Sequence, residues 1–305
     1  MAIRLGSNQY GKAEVRLVRV DRDTPRHRIR DLNVSSALRG DFAAAHVSGD
    51  QSDVLPTDTQ KNTIFSRARE VGVASVEEFA LDLADHFIST APAAQGARIA
   101  VQEYAWERIP VDGAGHDHSF VKSGDGVRTT VVNVDGQGPE RRAQVVSGIE
   151  DLTVLKTTGS EFHGFLQDRY TTLAETDDRI LATSLVAHWR YDSASVERGI
   201  DWDKSYDAIK ALLLQRFAEI HSYALQQSLY GMGEAALEQF PEVAEIRFSA
   251  PNKHHFLVDL EPFGVDNPGE VFFAADRPYG LIEATVVRDE ASEPGNAWHG
   301  VPGSC

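Results

Sequence analysis

Few stretches of this sequence advertise chemistry by spacing alone. His116-Asp117-His118 sets two imidazoles around a carboxylate, as a metal site would, but a protein zinc site needs at least three ligands and no third stands beside this Gly-containing loop. The two are read as loop histidines, and no metal is expected. Gly136-Gln137-Gly138-Pro139 has the glycines of a phosphate cradle, yet proline follows and no helix opens there to present its N–H groups. The single cysteine, Cys305, ends the sequence, so neither an intrachain disulfide nor a cysteine-based zinc site is expected. Asn33-Val34-Ser35 is a glycosylation sequon with no secretion signal ahead of it. With 46 Asp and Glu against 30 Lys and Arg, the formal charge of −16 opposes nucleic acid as a partner. An anionic ligand then has to be held by a few local donors working against the overall field, which makes individual arginines the residues to follow.

The elements available to position such residues change period along the chain. Ala13, Val15 and Leu17 alternate as on a half-buried strand, and the phase slips at Val18 and Val20, where a bulge is expected. Asp21 to Pro25 reads as a turn and Arg28 to Leu38 as a second strand. Thr59 to Arg69 has a helical pattern, and Ser75-Val76-Glu77-Glu78 is a capping box ahead of Phe79, Leu83, Phe87 and Ile88 on one helical face. Strands resume at Arg98 to Ile109 and Val127 to Val134, and turn signals at Asp135 to Pro139 interrupt the chain.

The second half repeats that order. Strands at Leu152 to Thr157 and Ile180 to Tyr191 precede a helical region, Lys204 to Phe240, that fits two helices better than one. Strands near Phe256 to Leu260 and Ile282 to Val286 complete a second ββααββ. The repeat is of element order, not of sequence, and domains are expected at 1–140 and 141–305. The fold class is α+β, each half an antiparallel sheet with two helices on one face, its edges and other face left for oligomerisation to cover.

Six segments carry a likeness that no single one of them would: Tyr10-Gly11-Lys12; Thr57-Asp58-Thr59-Gln60-Lys61-Asn62-Thr63; Gly159-Ser160-Glu161-Phe162-His163-Gly164-Phe165 with Asp178-Arg179-Ile180-Leu181; Leu225-Gln226-Gln227-Ser228-Leu229-Tyr230; Pro251-Asn252-Lys253-His254-His255-Phe256; and Arg277-Pro278-Tyr279-Gly280-Leu281-Ile282. Together they resemble the urate oxidase (uricase) family, over roughly Asn8 to Val287. The resemblance implies two tandem tunnelling-fold (T-fold) domains per chain and an oligomeric barrel, a homotetramer whose active sites lie between subunits. It implies oxidation of urate by O2 and water to 5-hydroxyisourate and hydrogen peroxide, without metal or flavin.

By that resemblance Arg179 and Gln226 grip the purine, since a guanidinium fork and a carboxamide match opposite amide edges of a urate anion. Phe162 lies flat on the ring, a stack worth ~1 to 3 kcal/mol. Leu173 and Leu225 wall the pocket, the latter also offering a backbone donor. Lys12, Thr57 and His254 form the family's proton relay, Asp58 orients Thr57 or donates a backbone N–H, and Asn252 with Thr57 holds dioxygen or water above the ring. A lysine ordinarily titrates near ~10.4, so a lysine base working near neutrality needs burial or cationic neighbours. Two departures stand out, Pro56 ahead of Thr57 and His163 in place of a tryptophan, and both are expected to be tolerated.

Read locally, the same residues have plainer roles. Lys12 is then an exposed charge at a strand start, Thr57 and Asp58 are a helix N-cap, and His254 is a packed loop histidine. Arg179 becomes a surface ion pair with Asp177 or Asp178, Phe162 core, and Gln226 a solvated helix position. Two other functions remain open: a pterin or deazaguanine enzyme of the same fold, which needs zinc or a nucleophilic cysteine, and a purine-binding protein without turnover. No run approaches the ~20 apolar residues of a membrane span. Neither a secretory h-region nor a Ser-Lys-Leu ending is present, and a cytoplasmic protein is expected.

Overall fold

The computed structural model describes residues 3–302, the side chains of Asp125 and Asp276 excepted; Cys305 lies outside them. Eight strands, β1 (Tyr10–Asp21), β2 (Arg28–Gly40), β3 (Ala94–Val111), β4 (Ala114–Asp135), β5 (Arg142–Lys156), β6 (Leu181–Tyr191), β7 (Val243–Leu257) and β8 (Phe272–Val287), form one antiparallel sheet in sequence order. Between β2 and β3 come α1 (Ala43–Val47), α2 (Thr57–Glu70) and α3 (Val76–Thr90). Between β6 and β7 come α4 (Ser193–Arg198), α5 (Trp202–Glu219) and α6 (Leu225–Gln239). The doubled order of the sequence is there, with one short helix added to each half.

The capping box behaves as its chemistry dictates: Ser75 Oγ accepts from the N–H of Glu78, and Phe79, Leu83, Phe87 and Ile88 are all buried. Among the described residues, no helix is long and apolar enough to cross a membrane.

Several expectations need correction. The two half-sheets are continuous, because β4 and β5 pair from Val127↔Glu150 to Asp135↔Arg142. β5 begins ten residues before the expected Leu152, and β7 lies N-terminal of the expected Phe256 to Leu260. His116 to His118 stand on β4, not in a loop, and Asp117 is paired with Arg26. The register of β1 is unbroken from Val15 to Asp21, so the bulge is not at Val18; it falls between Lys12 and Val15, where Glu14 takes φ 58°.

That bulge recurs. Between Ile149 and Leu152 of β5 the register shifts again, with Asp151 at φ 56°. A glycine stands three residues ahead of each left-handed residue, Gly11 and Gly148, and at both the neighbouring strand leaves no room for a Cβ. One built on Gly11 meets the Ser36 carbonyl oxygen at 1.8 Å, and one on Gly148 meets His188 Cδ2 at 2.2 Å. The repeat therefore extends to a short sequence pattern.

The face of the sheet away from the helices is not left wholly to partners. Ala297 and Val301 of the C-terminal segment pack on Val131 and Val146, whose neighbours Val132 and Val145 face the helical core. Asn133 on the same face donates from Nδ2 to the carbonyls of Ala297 (3.5 Å) and His299 (3.4 Å).

A buried ionic network joins the halves. Glu77, fully buried on the first turn of α3, accepts from Arg128 of β4 (2.7 Å) and from Ser147 of β5 (2.6 Å). Arg128 also donates to Asp203 of α5 (2.6 Å), which Arg30 of β2 meets from the other side (2.5 Å). Burial pushes the Glu77 carboxyl up despite its cationic partner. Burial opposes the charge of Asp203 as well, but Arg128 and Arg30 outweigh it and hold its carboxyl below the ordinary value.

Two outcomes follow. Arg128→Met strands a buried carboxylate and is expected to destabilise the protein by about 3–5 kcal/mol, read from the urea midpoint at constant slope. Because the Asp203 carboxyl is depressed in the folded state, its contribution is present above about pH 4 and is lost as pH falls through its folded value. Asp203→Asn should therefore flatten the acid limb of the stability curve below about pH 4, and an unaltered limb would show that these pairs add nothing.

Candidate active site

The expected site residues fall into two groups at opposite ends of the sheet. At the β1 end, Lys12 is half-buried beside the bulge, its backbone N–H directed at Ser36 Oγ (3.4 Å) on β2. Ser36 donates to Gln60 Oε1 (2.8 Å), and Gln60 Nε2 donates to the Leu55 carbonyl (3.2 Å). Gln60 is fully buried, so one carboxamide fixes the strand of Lys12 against the turn that leads into Thr57. Thr57 opens α2, exposed.

Neither Thr57 nor Asp58 caps that helix. The N-cap is Pro56, at φ −54° and ψ 141°, and its carbonyl accepts from the Gln60 N–H (3.0 Å), so the proline costs no backbone donor. Asp58 instead pairs with Lys61 (2.5 Å) and Asn62 (3.2 Å). Its carboxyl is held low chiefly by the Lys61 hydrogen bond, with the charge of Lys12 adding to the effect, which puts the Lys12 amine in its neighbourhood. Among the described residues Lys12 itself has no ion pair.

The second group is built around Phe162 and Arg179. Phe162 exchanges backbone hydrogen bonds with Thr176 (2.9 and 3.1 Å), and the Arg179 N–H donates to the Ser160 carbonyl (2.7 Å). This doubles the chain back, so that the guanidinium carbon lies 4.9 Å from the Phe162 ring centre. Arg179 Nε points at Ser160 Oγ (3.4 Å). Three buried serines carry the arrangement to α6. Ser160 and Ser222 form a parallel bridge, and Ser228 Oγ donates to Ser222 Oγ (2.8 Å). Leu225, buried, and Gln226, exposed, are the first two residues of α6, where backbone N–H groups lack intrahelical acceptors. Arginine, phenyl ring and the start of α6 are thus brought together.

The ion-pair reading of Arg179 does not hold. Asp178 is taken up by Thr158 Oγ1 (2.7 Å) and the Gly159 N–H (3.0 Å), and no carboxylate pairs with Arg179 among the described residues. Burial pulls the guanidinium below its ordinary value. Arg179 is thus a half-buried cation without a counter-ion among the described residues, in a chain of net charge −16. Phe162 is half-buried rather than core, and Phe165 stacks on it at 4.9 Å. Leu173, 57% exposed, lies on the segment between Phe162 and Arg179.

Asn252 and His254 stand on β7, not in a loop, on either side of a register shift against β8. His254 stacks on Phe256 (5.8 Å), while His255 Nδ1 lies 3.2 Å from the Lys253 carbonyl. Between Lys12 on β1 and Asn252 on β7 there are six strand steps, roughly 29 Å along the sheet at ~4.8 Å each. One chain therefore does not unite Lys12, Thr57 and Asp58 with Arg179, Phe162, Gln226, Asn252 and His254. Sequence reasoning gave no role to Gln60, Ser36 or the three serines; their burial, which decides the matter, has no sequence signal.

A family model described as Uricase matches residues 8–133 and 145–283. The chain is 54% identical to a uricase of Arthrobacter globiformis over 301 residues, 99% of this chain and 95% of that protein. It is 34% identical to a uricase of Danio rerio over 284 residues, covering 92% and 93%. Among solved structures, the crystal structure of uricase from Arthrobacter globiformis superposes with a TM-score of 0.90 at 55% identity, covering 98% of this chain and 99% of that one. A uricase from Bacillus fastidious gives 0.80 at 27%, covering 94% of each. Motifs, tandem antiparallel fold and relatives along nearly the whole length agree, and the chain belongs to the uricase family.

Proposed function

We propose that the chain is a cytoplasmic urate oxidase that converts urate, O2 and water to 5-hydroxyisourate and hydrogen peroxide. The observation that carries this reading is the unpaired, half-buried guanidinium of Arg179 at the Phe162 ring, beside the start of α6. A planar monoanion fits it. The guanidinium donates two parallel hydrogen bonds to one edge, the Gln226 carboxamide closes the opposite edge, and the Leu225 N–H adds a donor. Leu173 walls the pocket. Lys12, Thr57 and His254 relay a proton away from urate, with Asp58 orienting Thr57. The resulting dianion passes electrons to oxygen held by Asn252 and Thr57. A hydroperoxide then forms on the purine and loses hydrogen peroxide, and water adds to the dehydrourate left behind to give 5-hydroxyisourate. Urate supplies two electrons and O2 accepts them, so no metal, flavin or other cofactor is needed.

The separation of the two groups supports a shared site. We infer that the β1 end of one subunit, with Lys12, Thr57 and Asp58, faces the β7 and β8 end of another within a homotetramer, each half, 1–140 and 141–305, acting as one T-fold domain. Among the described residues both outer strands, β1 and β8, lack a second hydrogen-bonded neighbour, and such edges are open to pairing with another copy.

Two variants, and a hybrid of them, test this. Lys12→Met is expected to lower kcat by about 100-fold or more while urate still binds, as for loss of a proton-transfer group. Arg179→Gln should raise the urate dissociation constant by roughly 10- to 100-fold, the loss of a charge-assisted pair. Retained turnover in the first, or retained affinity in the second, would overturn the role given to that residue. Mixing the two impaired proteins under dissociating conditions and reassociating them should restore part of the oxygen uptake at low urate. Hybrids that stay inactive, with each variant folded, would place the whole site within one chain.

A further inference from the structure

We propose that Glu161, His163 and Asp177 form a binding site for a divalent transition-metal ion of the zinc class, with His221 fixing the second oxygen of Glu161. The site is separate from the oxidation chemistry, whose residues it does not share. Glu161 is fixed where two segments meet, its N–H donating to the Ser222 carbonyl (2.9 Å). Its two carboxylate oxygens each hold an imidazole: His163 Nε2 at Oε2, and His221 Nε2 at Oε1 (2.7 Å). Ligand atoms of Glu161, His163 and Asp177 lie within 4.8 Å of one another. One imidazole nitrogen and two carboxylates are a donor set for zinc, which bonds such ligands at about 2.0–2.2 Å and fills its remaining position with water. To admit the ion, His163 needs only to draw back from hydrogen-bonding contact with Glu161, and it is exposed enough to do so, while His221 holds the second Glu161 oxygen as an outer partner.

Charge favours a cation there. Three carboxylates, those of Glu161, Asp177 and Glu175, act on His163. Among the described residues no lysine or arginine pairs with any of them, and Arg179 on the neighbouring strand of the turn is not engaged by them either. An imidazole ligand has to be free of its proton to bind an ion, so affinity must fall as the solution is acidified. The candidate that the sequence suggested, His116 and His118, lacks this arrangement, since Asp117 between them is neutralised by Arg26.

The test uses full-length protein dialysed against EDTA and titrated with zinc chloride by calorimetry, alongside thermal melts with and without zinc. One ion per chain is expected, bound more weakly at about pH 6 than at about pH 8. His163→Ala should weaken binding by more than the roughly tenfold that loss of an outer-shell partner brings, and His221→Ala by about that factor. His163→Ala should also remove the zinc-induced rise in melting temperature, while His116→Ala keeps both signals. Equal melting temperatures of all variants in EDTA show that the fold is intact, and Glu161→Gln serves in place of a His163 variant that fails this check. Absence of saturable binding, binding untouched by the substitutions at 161 and 163, or binding lost in His116→Ala overturns the assignment.

Discussion

Hydrogen bonding between β4 and β5 runs without a break from Val127 to Asp135, and that ladder turns two small half-sheets into one surface with two distant ends. An antiparallel sheet in sequence order cannot fold its first and last strands together without closing on itself, and among the described residues β1 and β8 do not pair with each other. The placement of every reactive side chain follows from this. Groups carried by β1 and α2 stand at one end, and those carried by β7 and the segment ahead of β6 stand at the other. The ionic network around Arg128 makes the ladder rigid, since it ties α3 and α5, one from each half, to the strands at the join.

Precision at each end comes from buried polar groups that touch no ligand. The Gln60 carboxamide holds the strand of Lys12 against the turn before Thr57, and the hydroxyls of Ser160, Ser222 and Ser228 hold the arginine turn against α6. A buried amide or hydroxyl left without a partner costs about 1–3 kcal/mol, so each of these links resists a shift of its neighbours. The guanidinium at the Phe162 ring is the opposite case, a charge half-withdrawn from water without a counter-ion among the described residues.

Elements with a strong local period were legible in the sequence: the capped α3, the division of the second helical region into α5 and α6, and the alternation at β1 and β8. What escaped did so for identifiable reasons. Ile246, Phe248 and Ala250 alternate as a strand should, but Pro251 argues against a central strand, and the stretch was assigned too far downstream. Ser147-Gly148 weakens the strand signal of β5, and the left-handed residue at its bulge is an ordinary aspartate, as at β1 it is an ordinary glutamate. The site residues were found through short motifs with a family likeness. Their local readings fared unevenly: Gln226 is an exposed helix position as expected, while the cap at Thr57 and the Arg179 ion pair are absent.

The paired bulges set an alignment between the halves. With Gly11 matched to Gly148 and Glu14 to Asp151, Lys12 falls opposite Ile149, a side chain wholly enclosed in the core. The second copy of the scaffold has thus put a hydrocarbon where the first keeps an amine. The duplication yields the architecture twice but the amine only once.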